Sequence, residues 1–122
     1  MKRRVAALVL TAGLSAAGLA TASSAAAYGP ANAVVCFVMG DGTPYTGPVF
    51  AQIAAPGGWQ NVASSASYNG CTQWTLASGA TYRFEALATA YRTVFEGATS
   101  PMAMPAPAAY NVGTWAVAET HF

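Results

Sequence analysis

Charged side chains are scarce in this sequence and make up 7% of its 122 residues. Three of the five basic residues are Lys2, Arg3 and Arg4, so the rest of the chain has two arginines against four carboxylates. A protein that binds nucleic acid needs a basic patch, because neutralised phosphates supply most of the affinity. We therefore expect no nucleic-acid partner and no polybasic membrane-binding surface.

Residues that carry catalytic chemistry are equally sparse. The single histidine is His121, which we expect in a frayed C-terminal end. Nucleophilic catalysis needs a nucleophile with a base and an orienting group, and a glycosidase needs paired carboxylates. The carboxylates fall on different predicted elements, and Asp41 lies alone in a turn. We predict no catalytic residue, no metal site, no cofactor and no enzymatic activity.

The one long apolar run lies at the N-terminus. A basic start is followed by uncharged residues 5–20 and then by small residues. This order is typical of a cleaved export signal, and the run is short for a membrane-spanning helix. We predict a signal peptide at residues 1–27, a mature chain that starts at Tyr28, and a secreted protein without a membrane span. Cleavage after Ala33 is the alternative.

Cysteine occurs only twice, as Cys36 and Cys71. In an oxidising compartment the simplest outcome is one intramolecular disulfide. Such a bond would contribute roughly 4 kcal/mol to a total of about 5–15 kcal/mol, a large part of the stability of a small domain. An intermolecular disulfide or a zinc site is the alternative, although two cysteines and one terminal histidine are too few zinc ligands.

Long helical patterns are missing beyond the signal. The chain has strand formers such as Val, Thr, Tyr, Phe and Trp, interrupted by Gly and Pro. Short strands with turns between them predict one antiparallel β-sandwich over residues 34–122, after a short arm at 28–33. The proline-rich residues 97–109 are expected to form a loop or a ragged edge strand. The seven predicted strands are Val34–Val38, Pro48–Ile53, Trp59–Tyr68, Cys71–Leu76, Thr81–Ala86, Tyr91–Glu96 and Tyr110–Val117.

Three details of this prediction concern turns and register. Asn69-Gly70 is typical of a type I′ turn, so we expect the third and fourth strands to form a hairpin. Cys71 has the parity opposite to that of Trp74, which predicts a bulge near the turn or a position at the rim of the sheet. If the fifth and sixth strands pair through a short turn, Glu85 can lie opposite Arg92.

Turn and strand motifs follow one another in a characteristic order. They are Asp41-Gly42-Thr43-Pro44, Gly47-Pro48-Val49, Asn69-Gly70, Trp74-Thr75-Leu76, Gly79, Tyr82-Arg83-Phe84 and Val112-Gly113-Thr114-Trp115. In this order the chain resembles the transthyretin-like, carboxypeptidase-regulatory-like β-sandwich, in which a D-G-x-P-x-x-G turn opens the second strand. The resemblance spans residues 34–117. It implies a non-catalytic accessory, adhesive or carbohydrate-binding role and supplies no site residues.

Aromatic residues are plentiful, with three tryptophans and six tyrosines. Trp74 lies between strand residues and is expected in the core. Trp59, Tyr45 and Tyr110 lie on a polar strand or beside loops and are the candidate binding residues, because flat rings stack on sugars and anchor protein interfaces. We therefore expect a secreted binding module for polysaccharide or cell-wall material.

Two other functions fit the same sequence. A secreted inhibitor of an extracellular hydrolase would present a rigid loop, such as residues 99–109 or 41–47, to another secreted protein. A surface-assembly protein would stack its strand edges, which low charge and many alanines and valines favour.

Overall fold

The computed structural model of the protein describes residues 29–122. The predicted signal peptide and the predicted mature start at Tyr28 lie outside the described residues. As predicted, the described part is all-β, with eight strands and no helix. The strands are β1 Pro30–Met39, β2 Gly47–Ala55, β3 Gly58–Ser67, β4 Cys71–Ala77, β5 Ala80–Ala90, β6 Thr93–Ala98, β7 Met102–Met104 and β8 Ala108–His121.

All seven predicted strands are present, although their ends shift. β1 begins at Pro30, and Ala31 and Ala33 are buried, so most of the predicted arm belongs to the sheet. The eighth strand, β7, lies in the segment predicted as a loop or ragged edge. It pairs with the start of β5 and buries Met104 in the core.

The strands form one sheet in the order β3-β2-β5-β6-β8-β1-β4, and β7 pairs with β5. The two end strands, β3 and β4, approach each other, so the sheet is nearly closed like a barrel. The pairing of β1 with β8 is parallel, whereas the other strand pairings are antiparallel. The prediction of a purely antiparallel sheet is therefore wrong at β1 and β8. Turn residues indicate only which consecutive strands pair, and these two strands lie at opposite ends of the described chain.

Alternate residues of the strands point inward and form the core. Phe37, Val49 and Phe84 are fully buried. Trp74 is buried as predicted, with its ring centroid 5.4 Å from that of Phe84 and its Nε1 donating to Thr72 Oγ1 at 2.8 Å. Because the inward side chains fill this core, the outer face of the sheet supplies the side chains that a ligand can reach.

Cys36 and Cys71 form the predicted intramolecular disulfide, with an S–S distance of 2.05 Å. The two residues lie directly opposite each other in the ladder between β1 and β4. Cys71 is the first residue of β4 and is exposed, whereas Trp74 points inward. The disulfide therefore lies at the rim of the outer face, and β4 needs no bulge to place it there.

The predicted hairpin at Asn69-Gly70 is wrong. β3 pairs with β2 and β4 pairs with β1, so the turn carries the chain between two strands that do not pair. Gly70 has φ of 95°, its N–H donates to Ser67 Oγ at 2.9 Å, and its carbonyl accepts from Phe37 N at 2.7 Å. A Cβ on Gly70 would lie 3.0 Å from the Phe37 carbonyl oxygen. Contacts with β1 thus determine this turn.

The predicted pair of Glu85 with Arg92 is also wrong. β5 and β6 form a hairpin, but β5 extends to Ala90, which places Arg92 in the turn with φ of 57°. Glu85 lies opposite Ala98 instead, and its Oε1 accepts a hydrogen bond from Gln52 Nε2 at 3.3 Å.

His121 lies in a paired strand, whereas the sequence predicts a frayed end. It is the last residue of β8 and pairs with Thr93 of β6. Its Nε2 lies 3.1 Å from Glu119 Oε2, and its Nδ1 lies 3.1 Å from Thr93 Oγ1. The backbone pairing of β8 with β6 holds this residue in the sheet.

Candidate binding surfaces

Tyr45 is one of the three predicted binding aromatics, and its position in a loop favoured exposure. The structure buries it instead, with 1% of the residue exposed. Its hydroxyl donates to the Pro48 carbonyl at 2.8 Å, and its ring packs edge-on against Phe37 at 6.3 Å. This burial raises the pKa of the Tyr45 phenol. The expectation of an exposed ring is wrong, because the loop returns the side chain to the core.

Tyr110 is half-buried at the start of β8 and packs against the core. Its hydroxyl donates to the Ala106 carbonyl at 2.7 Å and accepts from the Ala106 N–H at 3.1 Å. These two hydrogen bonds occupy the polar end of the side chain. Tyr110 therefore braces the preceding loop.

Trp59 lies at the start of β3 and is half-buried on the outer face of the sheet. The Arg83 guanidinium lies over its ring, 4.8 Å from the centroid. Arg83 Nε also donates to Gln52 Oε1 at 2.6 Å, which fixes the guanidinium in this position. One face of the indole is thus already covered by a side chain of the protein.

The three predicted aromatics do not form one site. Trp59 is on β3, Tyr45 is in the connection between β1 and β2, and Tyr110 is on β8. Within residues 29–122, the close aromatic pairs are Phe37–Tyr45 and Trp74–Phe84, and neither joins two of the three candidates.

Another part of the outer surface carries a regular array of side chains. It is the outer face of β4, β1 and β8, where the register places outward side chains in three rows of three. None of the nine residues is buried. We call this surface the amide face, and its rows are Thr75–Asn32–Ala109, Gln73–Val34–Asn111 and Cys71–Cys36–Thr114.

The spacing of the amide face follows from the geometry of the sheet. Neighbours in a row are about 5 Å apart in a regular sheet, and successive rows on β1 and β4 are separated by about 6.7 Å. The Cα atoms of Cys36 and Cys71 are closer, at 3.9 Å, and on β8 a bulge places Thr114 three residues after Asn111. Val34, which is 38% exposed, is at the centre, with Gln73 on one side and Asn111 on the other. Most of the nine residues line one open groove with a volume of about 1010 Å³.

The amide groups of this face retain hydrogen-bonding capacity. Asn32 Oδ1 accepts from Thr75 Oγ1 at 3.3 Å, and Asn111 Oδ1 accepts from Gly113 N at 3.0 Å. The side-chain NH₂ groups of Asn32, Gln73 and Asn111 have no hydrogen-bond partner among residues 29–122. Three donors from three adjacent strands therefore point to one uncharged groove.

The groove contains no charged side chain. The described chain also has no group of three or more His, Cys, Asp or Glu residues placed to hold a metal ion. Asp41, the isolated turn carboxylate, accepts from Thr43 N at 3.0 Å and from Thr43 Oγ1 at 2.6 Å, and these hydrogen bonds lower its pKa. Within residues 29–122 no helix is long and apolar enough to cross a bilayer.

The sequence indicates which residues of β4 point outward, but it does not indicate that β1 and β8 complete a surface with them. The alternation in β4 places Cys71, Gln73 and Thr75 opposite Trp74, and the structure confirms that arrangement. No local signal shows that β8 lies parallel to β1, so the third strand of the face could not be inferred. The whole chain matches no protein-family model and no curated protein.

Proposed function

We propose that this protein is a non-catalytic module that binds a neutral polysaccharide on its amide face. The observation that carries the proposal is the three-row array, with unpartnered amide donors on three adjacent strands and no charge among them. Side-chain amides and hydroxyls donate to and accept from sugar hydroxyls. The exposed Val34 between Gln73 and Asn111 offers an apolar contact to the C–H face of a pyranose ring.

The chemistry of the groove selects against charged ligands. A polyanion or a phosphate would need basic side chains, which the groove does not contain. Neutral hydrogen bonds contribute only about 0.5–1.5 kcal/mol each, so a single sugar would bind weakly. A polymer contacts several rows at once and dissociates more slowly, because a second contact on the same chain has a high effective concentration.

We also propose that the protein is exported and that it is related to the transthyretin-like β-sandwiches. The N-terminal signal pattern supports export, and the intramolecular disulfide is compatible with an oxidising compartment. The order of turn motifs supports the kinship, whose family role is accessory or carbohydrate-binding. In this proposal the partner is insoluble polysaccharide or cell-wall material outside the cell.

A depletion assay tests the proposal. Purified protein with its disulfide formed is mixed with insoluble cellulose, chitin, starch or peptidoglycan, and the unbound fraction is read by tryptophan absorbance. We expect depletion by at least one of the neutral polymers cellulose, chitin and starch, and its loss in the double variant Gln73→Ala/Asn111→Ala. Gln60→Ala is the matched control, because Gln60 is an exposed strand glutamine outside the groove. Trp59→Ala tests the aromatic that sequence reasoning favoured.

The outcomes separate the possible sites. Binding that survives in Gln60→Ala and Trp59→Ala but not in the double variant supports the amide face. Binding lost only in Trp59→Ala would assign the site to the indole and refute the amide face. No depletion by cellulose, chitin or starch would refute the neutral-polysaccharide proposal.

A second candidate function is inhibition of a secreted hydrolase, which one feature of the loop before β8 favours. Residues 105–107 are exposed, yet both backbone polar groups of Ala106 bond to the Tyr110 hydroxyl, and the neighbouring Met104 is fully buried. Rigid exposed loops suit inhibitors because they lose little entropy on binding. One-to-one loss of activity of a secreted peptidase or glycosidase would support this function.

A further inference from the structure

Phe50 and Tyr68 are two aromatic residues that the core does not use. Phe50 alternates with Val49 and Ala51, which are fully buried, so its half-buried ring lies on the outer face of β2. It belongs neither to the core cluster nor to the side chains packed against it. Tyr68 directly follows β3 and is 82% exposed. A single exposed hydrophobic residue needs no explanation, whereas aromatic rings that share one groove are a candidate binding surface.

The two rings line one shallow groove of about 690 Å³ on the outer face of β2 and β3. The register places Phe50 opposite Ser64 and Pro48 opposite Ala66. No charged side chain lines this groove. We call it the aromatic platform, and its lining side chains include Thr46, Pro48, Phe50, Ser64, Ala66 and Tyr68.

The backbone beneath Tyr68 is held firmly although its ring is exposed. The Tyr68 carbonyl accepts from Thr46 Oγ1 at 3.4 Å. The preceding Ser67 is fully buried, and its Oγ donates to the Tyr45 carbonyl at 3.0 Å and accepts from Gly70 N at 2.9 Å. The ring therefore starts from a fixed backbone position, which reduces the ordering cost when a ligand stacks on it.

We propose that the aromatic platform is a stacking subsite for a pyranose ring of the same neutral glycan. This inference rests on the proposed function. An uncharged groove with two aromatic rings and hydroxyls at its edge matches a sugar, whose C–H face stacks on the rings while its hydroxyls bond to Ser64 and Thr46. Glu85 is the nearest carboxylate in the register: it pairs directly with Phe50 in the ladder between β2 and β5, does not line the groove, and accepts a hydrogen bond from Gln52.

The chain itself limits the distance between the platform and the amide face. Cys71, in the third row of the amide face, follows Tyr68 by three residues, so their Cα atoms are at most about 11 Å apart. One glycan chain is long enough to contact both surfaces. The two surfaces then act as linked subsites, with hydrogen bonds at one and ring stacking at the other.

Titration with soluble cellohexaose and N-acetylchitohexaose tests this inference. For the sugar that binds, we expect Tyr68→Ala to weaken the affinity about tenfold and Tyr68→Phe to retain it, since the ring supplies the stacking contact. Tyr91→Ala is the matched control, because Tyr91 is 89% exposed and lies in the turn between β5 and β6, away from both grooves. Ring NMR signals of Tyr68 should shift on binding, and those of Tyr91 should not.

The results distinguish this subsite from the proposed function. If the Gln73→Ala/Asn111→Ala variant loses binding and Tyr68→Ala behaves like Tyr91→Ala, the amide face stands and the platform is refuted. If Tyr68→Ala loses binding and the double variant keeps it, the platform stands and the amide face is refuted. If neither sugar binds, the platform is refuted, and the depletion assay decides the amide face. Poly-L-proline, a ligand that aromatic grooves also accept, is titrated in parallel, and its binding in place of sugar would overturn the inference.

Discussion

The outer face of β3, β2 and β5 and the amide face on β4, β1 and β8 lie on either side of the gap between β3 and β4. The two faces differ in whether their polar side chains are hydrogen-bonded to one another. On β3, β2 and β5, the Gln52 amide joins Asn61, Arg83 and Glu85 in one hydrogen-bonded network, and Arg83 also stacks on Trp59. On the amide face, the side-chain NH₂ groups have no partner among residues 29–122. Polar groups that satisfy one another stabilise the protein, whereas unpartnered exposed groups remain available for a ligand.

The disulfide offers the largest test of this contrast, because it is part of the amide face and no similar bond crosses the other face. It joins residues 35 apart in sequence, and the double variant Cys36→Ser/Cys71→Ser should lose roughly 4 kcal/mol of unfolding free energy. Urea denaturation measures this loss. Wild-type protein under a strong thiol reductant is the control and should show a similar midpoint.

If the variant instead keeps the stability of the oxidised protein, the hydrogen bonds between β1 and β4 suffice without the covalent link. The depletion assay on the same variant then has a clear meaning. With β4 correctly placed, Gln73 still lies opposite Val34, and polysaccharide binding should persist.

Two glutamines provide the direct comparison between the faces. Gln52 is only 7% exposed and bonds to three side chains, so Gln52→Ala removes three hydrogen bonds and should cost about 1–3 kcal/mol. Gln73→Ala removes an exposed side chain without a hydrogen-bond partner in the described structure, and it should change stability by less than about 0.5 kcal/mol.

Denaturation measures both stabilities, and the depletion assay should give the opposite ranking. Gln52→Ala is expected to keep polysaccharide binding while it remains folded, and Gln73→Ala is expected to weaken it. Equal stability losses in the two variants would contradict the distinction between the hydrogen-bonded network around Gln52 and the unpartnered amides of the amide face.

Alternation is a local property, so the sequence predicts inward and outward residues where a strand has no bulge, as in β5. Tyr82 and Phe84 alternate with Arg83 and Glu85 along β5, and the structure buries the first two and leaves the other two half-buried on the outer face. In β8 a bulge breaks the alternation, and Val112 and Val117 are both buried although strict alternation places them on opposite faces. The disulfide could also be predicted, since only two cysteines are present.

Several strand partners and the amide face could not be predicted, because they depend on contacts distant in sequence. Asn69-Gly70 favours a hairpin locally, yet hydrogen bonds from the turn to Phe37 and Ser67 give it another conformation. Tyr45 illustrates the same limit, because the bridge between Val38 and Pro44 directs its ring inward. The parallel pairing of β1 with β8 completes the amide face and has no turn motif to indicate it.

Both faces share one hydrophobic core. Unfolding at alkaline pH tests whether both faces are lost in a single transition. Burial raises the pKa values of the Tyr82 and Tyr45 phenols above the ordinary value of about 10. The folded protein therefore holds these protons more tightly than the unfolded chain. Stability should be complete below pH about 10 and should fall above it, by about 1.4 kcal/mol per pH unit for each phenol that stays protonated when folded.

Tyr82→Phe isolates the contribution of one phenol. At neutral pH the variant loses the hydrogen bond from the Tyr82 hydroxyl to the Ala77 carbonyl, 2.6 Å long, at a cost of about 0.5–1.5 kcal/mol. Above pH about 10 its stability should fall less steeply than that of the wild type, because one buried proton no longer titrates. Parallel slopes for the two proteins in alkaline urea denaturation would show that Tyr82 does not control the transition. We expect the circular dichroism signal and the binding to polysaccharide to decrease over the same pH range. Outward residues of both faces alternate along the strands with inward residues of this one core, so loss of the core should disrupt both faces.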